Sequence, residues 1–409
     1  MSSWRFVYDT FNPEKEGLRE ALCTLGNGYF ATRGAFEGSG ADDIHYPGTY
    51  LAGGYNRLKT EIAGRVIENE DLVNIPNWIA LKFRLPGEEW FDLSEVKIHH
   101  YRQELDMRKG ILSRDIRFED KQGRISKLEN RRIVHMNNSH LAAQQTSITA
   151  ENWSGTVEFL SVLDGTVINF GVARYRDLAM AHLEPLEEKE VDEERILLKV
   201  RTNQSRLEIA EAARSAIFLN GTPIRPERKV IRKAGYIGHL FCVAMEKGSS
   251  IRIEKTISLF TSRDHAISEC SLEAAEAISG EASFEDLLES HIMAWEHLWR
   301  RFEIDYFPSD KERGDRTARI LHLYTFHLLQ TTSMHTIDLD AGVPSRGWHG
   351  EAYRGHIFWD EIYIFPLLNL RMPKITRSLL MYRYRRLDAA RTAARKIGKR
   401  GAMYPWQSG

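Results

Sequence analysis

The feature that most limits the fold of this 409-residue chain is a change of hydrophobic period near residue 283. Before it, apolar residues recur at every second position in short runs broken by Gly, Asn, Asp and Pro. In "WIALKFRLPG", Leu81, Phe83 and Leu85 alternate with Lys82 and Arg84, and "TVEFLSVLDG" and "SSIRIEKTISLF" follow the same rule. A period of two sends successive side chains to opposite faces, so each run predicts a half-buried strand. Many such runs between about 20 and 265, with little helical periodicity among them, point to a large antiparallel sandwich and not to βαβ units. "SRLEIAEAARSAIFLNG" suits a helix by composition, but Leu207, Ile209 and the preceding strand-like "RILLKVRT" favour a strand, the reading adopted here.

Past residue 283 the period lengthens. "SFEDLLESHIMAWEHLWRRF" sets Phe284, Leu287, Leu288, Ile292, Trp295, Leu298, Trp299 and Phe302 at helical spacing, and Ser283 with Asp286 forms a capping-box pattern. The Trp295 and Trp299 stripe reads as packing between a β domain and a helical domain. A second helix is expected after Asp315, and two more over "KITRSLLMYRYRRL" and "DAARTAARKIG", the last closed by Gly398. The final stretch, "RGAMYPWQSG", is aromatic and apolar where a polar frayed tail is commoner. So few helices behind a large β domain make a poor core, and a helical domain cut short is the expectation.

The length allows two or three domains. With 56 Lys+Arg against 57 Asp+Glu there is no basic excess, which argues against a nucleic-acid partner. No run of about 18 apolar residues suggests a membrane span, and "MSSWRFVYDTFNPEKEG" lacks the charged and apolar regions of a secretory signal. Cys23, Cys242 and Cys270 are odd in number and show no CxxC spacing. Together these predict a cytoplasmic protein with no metal site.

Candidate chemistry concentrates in "DLDAGVPSRGWHGEAYRGHIFWDEIYIFP". Gly342, Gly347, Gly350, Gly355 and Pro344 mark a loop, and "IFWDEIYIF" then opens a helix or a buried apolar segment. Sugar recognition needs an aromatic face for the C–H surface of a ring and charged groups for its hydroxyls. Trp359 beside Asp360, with Arg354 and His356 upstream, supplies both. The competing reading makes Trp359 and Phe358 core, Asp360 a helix cap, and Arg354 the surface partner of Glu351. Elsewhere "GNGYFATRG" misses the GxGxxG spacing and reads as a tight turn, His349 and His356 lack HExxH spacing, and no GxSxG occurs.

"GEAYRGHIFWDEIYIFP" followed by "LLMYRYRRLDAARTAARKIGKRGAMYPWQSG" closely resembles glycoside hydrolase family 65, the maltose, trehalose and kojibiose phosphorylases and their hydrolytic relatives. "LGNGYFATRGAFEG", "PGTYLAGGYN", "ELDMRKGILSR" and "TSRD" resemble that family's N-terminal domain in order, so the likeness covers nearly the whole chain. The resemblance implies a galactose-mutarotase-like β-sandwich (1–268), a helical linker (269–314) and the incomplete first part of an (α/α)6 catalytic barrel (315–409). It implies that Trp359 and Asp360 hold the glucosyl unit, with Arg354 in the same motif and Trp406 of "YPW" nearby. It also implies an inverting displacement in which one Glu is the general acid and inorganic phosphate attacks, giving β-glucose 1-phosphate. That Glu and the phosphate loops are expected beyond Gly409, so neither Glu351 nor Glu361 is assigned as the acid. The implied partners are a disaccharide α-glucoside, phosphate and a possible second copy in a homodimer, with no organic cofactor. Two alternatives stand beside the phosphorylase: a family 65 hydrolase of α-glucosides, trehalase-like, and a non-catalytic carbohydrate-binding fragment.

Overall fold

A computed structural model describes residues 3–85, 87–280, 282–304 and 311–409, the side chains of 311–313 excepted. Residues 305–310 of the expected linker lie outside the described part. Up to Thr261 the elements are nearly all strands, and from Cys270 they are mainly helices.

The largest sheet runs in the order Arg5–Tyr8, Lys97–Asp106, Ile111–Glu119, Ile125–Val134, Leu141–Ala150, Ser250–Thr261, Glu208–Leu219, Arg195–Thr202, Leu183–Glu190, with Thr222–Ile224 paired to Glu208–Leu219. A four-stranded sheet of Arg228–Lys233, Tyr236–Met245, Gly155–Asp164 and Leu81–Arg84 lies against it. Ile148, Ile217 and Ile253 of the first meet Val157, Phe159 and Phe241 of the second in one buried cluster. The strand pairings are all antiparallel among the described residues. A third sheet, Leu25–Gly26, Phe30–Thr32, Thr49–Ile62 and Arg65–Ile75, faces the helices.

The ambiguous alanine-rich stretch is the strand Glu208–Leu219. It is paired on both edges, to Arg195–Thr202 and Ser250–Thr261, and this pairing overrides its composition. One cost is Glu211, which is buried with neither carboxylate oxygen hydrogen-bonded among the described residues and whose pKa burial drives well upward against the opposing pull of Lys255.

Helix α1 (Pro13–Leu22) follows the first strand, Arg5–Tyr8, and α2 (Cys270–Ala277) closes onto the large sheet. Helix α3 (Phe284–Phe302) starts with the expected capping box, Ser283 Oγ accepting from the Asp286 N–H and the Asp286 carboxylate from the Ser283 N–H. Its Trp295 and Trp299 are buried as expected. Trp299 Nε1 donates to Met107 O at 3.0 Å, and Trp295 stacks on Phe326 of α4 (Lys311–Thr331) at 4.7 Å between centroids. Trp295 lies so close to Gly110, at φ 67°, that a Cβ there would overlap the indole. The chain ends in α5 (Glu361–Arg371), α6 (Pro373–Arg385) and α7 (Leu387–Lys396), with Gly398 at φ 72° just beyond.

The motifs that carry the family likeness meet one another in space. Tyr29 OH donates to Asp264 at 2.6 Å, Arg263 to Gly53 O at 2.6 Å, and Arg114 and Arg132 share the buried Glu37. "GNGYF" is the tight turn expected of it: Asn27 Oδ1 accepts the N–H groups of Tyr29 and Phe30, while Gly28 packs against Ser333 of the helical region. No described helix is long and apolar enough to cross a membrane.

Candidate substrate site

The site grows from a turn that side-chain sterics disfavour. Tyr353 (φ 55°, ψ 28°), Arg354 (φ 59°, ψ 18°) and Gly355 (φ 65°) are three successive left-handed residues. Only glycine adopts this conformation freely, and Tyr and Arg there cost about 1–2 kcal/mol each. Glycine is required at 355 for a second reason, since a Cβ would run into Leu72. The strain is held by the third sheet. Arg354 Nη1 donates to Asp71 Oδ1 at 3.0 Å, Tyr55 OH to Gly355 O at 2.6 Å, and His356 Nε2 to Glu70 O at 2.7 Å.

Immediately after the turn, Ile357–Phe358 pairs antiparallel with Gln407–Ser408. This short ladder joins two motifs distant in sequence. Trp359 and Trp406, one residue outside it on each strand, lie 5.9 Å apart between ring centroids at 51°, and Tyr363 lies 5.5 Å from Trp359. Trp359 is 44% exposed and Trp406 68%, whereas Phe358 is buried. Asp360 is exposed at the head of α5 and its side chain caps nothing. Its carboxylate makes no hydrogen bond or ion pair among the described residues. The result is an open face with indole surface beside a free carboxylate, chemistry that suits the C–H face and hydroxyls of a sugar.

Of the four sequence candidates, the structure groups Trp359, Asp360 and Trp406. Arg354 is turned elsewhere: besides Asp71 it lies over the Tyr175 ring at 4.5 Å, and no hydrogen bond, ion pair or ring contact joins it to the other three. The alternative reading of this stretch fails in three places, because Trp359 is exposed, the Asp360 side chain caps nothing and Arg354 pairs with Asp71 and not with Glu351.

Glu351 is no surface residue. It is 5% exposed, and its carboxylate accepts from Tyr46 OH, from Tyr50 OH at 3.1 Å and from the Gly171 N–H at 2.9 Å. Burial raises its pKa to about 7, with those three donors and Arg33 acting in the opposite direction. It lines a cavity of about 420 Å³ with Arg33, His45, His349 and Arg346. Glu361 also turns inward, accepting from the Val343 N–H at 2.9 Å and pairing with Arg383 at 2.9 Å. Glu351, Asp71 and Tyr175 were missed as supports of the site. Arg354 and Asp71 are 283 residues apart, and no spacing rule could couple them.

His349 and His356 do not converge, the first edge-on to His327 and the second bonded to Glu70 O. Glu208, Glu269 and Cys270 cluster as metal ligands might, but Lys199 Nζ sits on the two carboxylates at 2.7 and 2.6 Å and supplies the positive charge itself.

The sequence model of the glycosyl hydrolase family 65 N-terminal domain matches residues 6–298, and that of the family 65 central catalytic domain matches 322–409. The chain belongs to glycosyl hydrolase family 65. Among curated relatives, an uncharacterized glycosyl hydrolase of Mycobacterium tuberculosis is 46% identical over 99% of this chain and 30% of its own length. The trehalose 6-phosphate phosphorylase of Lactococcus lactis is 33% identical, and the kojibiose phosphorylase of Halothermothrix orenii 30%, each over 99% of this chain and 50% of the relative. A solved structure provisionally described as a kojibiose phosphorylase from the human microbiome superposes with a TM-score of 0.84 at 22% identity, over 99% of this chain and 52% of that one. The family 65 chain thus spans about half the length of these phosphorylases and under a third of the mycobacterial relative.

Proposed function

We propose that this family 65 chain is the sugar-holding part of an inverting disaccharide phosphorylase. Its strands form a galactose-mutarotase-like sandwich and α4 to α7 the first helices of an (α/α)6 barrel. Trp359, Asp360 and Trp406 hold the glucosyl unit to be transferred. The observation that carries this reading is the exposed Trp359–Trp406 pair beside the unpartnered Asp360 carboxylate. The phosphorylase relatives named for kojibiose and trehalose 6-phosphate support it, as both compounds contain an α-linked glucose.

The chemistry follows from the nucleophile. Phosphate is already an anion, so it attacks the anomeric carbon without a protein base, and the enzyme must supply one acid to protonate the leaving oxygen. Stacking on the two indoles fixes the ring, and Asp360 accepts from its hydroxyls, so that one face of the anomeric carbon is presented to phosphate. The reading requires an acid and a phosphate pocket in addition to Trp359, Asp360 and Trp406. A second reading, a hydrolase, has the description of the 46% identical relative in its favour. It requires a carboxylate base for water, about 6.5–9.5 Å from the acid.

The test is to express the full reading frame and offer maltose, trehalose, kojibiose and trehalose 6-phosphate with and without inorganic phosphate. Glucose 1-phosphate formed only with phosphate is the expected result. Equal release of free glucose without it would replace this reading by the hydrolase.

A further inference from the structure

Residues of the β region contact the turn that leads into the Trp359–Asp360 face. Four contacts from before residue 180 hold residues 354–356. They are Asp71 and Tyr175 on Arg354, Tyr55 on Gly355 O, and the Glu70 carbonyl on His356. These residues follow directly on Tyr353 and complete the left-handed turn, and Trp359 stands three residues beyond. Between them lies only the two-residue ladder Ile357–Phe358, so the direction in which the chain leaves the turn decides where Trp359 and Asp360 point.

Within this seat Asp71 has a particular place. It is buried, it accepts from Asn69 Nδ2, and the nearby His182, 3.9 Å away, is kept neutral because burial lowers its pKa to about 4. Arg354 is therefore the cation that answers the Asp71 carboxylate. A buried charge that loses its partner does not stay where it was, because desolvation is no longer compensated.

We infer that Asp71 is a positioning residue for the Trp359–Asp360 face, acting through its ion pair with Arg354 and the left-handed turn 353–355. The inference rests on the reading that this face holds a sugar, but its test separates the two.

The 409-residue chain, labelled with 5-fluorotryptophan, has nine tryptophans whose fluorine resonances can be followed. Trp359→Phe and Trp406→Phe assign the two exposed ones. In Asp71→Asn the Trp359 line is expected to shift or broaden while that of Trp78, buried in the β region, stays in place. Glucose affinity, read from the same lines, is expected to fall at least tenfold. Arg354→Gly keeps a residue suited to the left-handed backbone and removes only the anchor, so it should move the Trp359 line even if Asp71→Asn does not fold. Arg354→Lys should restore part of the affinity lost in Arg354→Gly. A Trp359 line unmoved in a folded Asp71→Asn or in Arg354→Gly overturns the inference. A line that moves in the variants, with no response of the wild type to glucose, upholds the positioning and overturns the sugar reading.

Discussion

Trp78, Trp295 and Trp299 are almost wholly enclosed, in the β region and at its junction with α3, whereas Trp359 and Trp406 stand open at the end of the helical region. The contrast extends to their neighbours. The two facing sheets bury Phe159, Phe241 and Ile253 completely, while α5 and α6 leave Tyr363, Leu370 and Tyr384 in solvent, Leu370 at 84%. Tryptophan in this chain thus has two fates. Where strands and helices close on each other the indole becomes structure, and where they do not it remains available to a ligand.

That comparison can be broken first at the junction. Trp295→Ala removes a large buried ring and should destabilise the chain by about 3–5 kcal/mol in urea unfolding. A loss below about 1 kcal/mol would mean that the junction is not a shared core.

The next effect concerns Glu351, which ties the helical region to Tyr46, Tyr50 and Gly171. Its folded pKa, about 7, lies above the ordinary carboxylate value, so the folded state binds the proton more tightly than the unfolded one. The associated stability is fully present below the unfolded pKa and is lost as pH rises through about 7, by on the order of 3 kcal/mol. Buried histidines such as His135 and His327 slope the other way, their lowered pKa values favouring the fold at higher pH. The measurement is therefore the difference between wild type and Glu351→Gln across pH 4 to 8, expected to change steadily between the two pKa values. A flat difference would show that folding does not shift the Glu351 pKa.

A smaller effect sits at the start of α3. Ser283→Ala deletes one half of the capping box and should cost about 1 kcal/mol in the same unfolding assay. Smallest of all, Leu370→Ser should leave stability within about 0.5 kcal/mol, because the side chain is already in water. A larger loss would place Leu370 in a contact and weaken the contrast between the two regions.

Much of the architecture is legible in the sequence. The period-two runs became strands, including Glu208–Leu219 against its composition, and the Ser283 capping box opened α3 as expected. The second helix begins at Lys311, ahead of the position expected after Asp315. At the site, Trp359, Asp360 and Trp406 were readable as candidates. The engagement of Arg354 by Asp71 and Tyr175, and the burial of Glu351, were not.

The division has a physical cause. Periodicity and capping are set by neighbours along the chain, within a strand's alternation or a helix's turn, so the residues alone determine them. The sequence likewise determined the family, through motifs that recur in order. The two-residue ladder that brings Trp406 to Trp359, the left-handed turn at Tyr353 and Arg354, and the raised pKa of Glu351 depend on partners distant in sequence or on local dielectric. Those are properties of packing, and only the tertiary structure decided them.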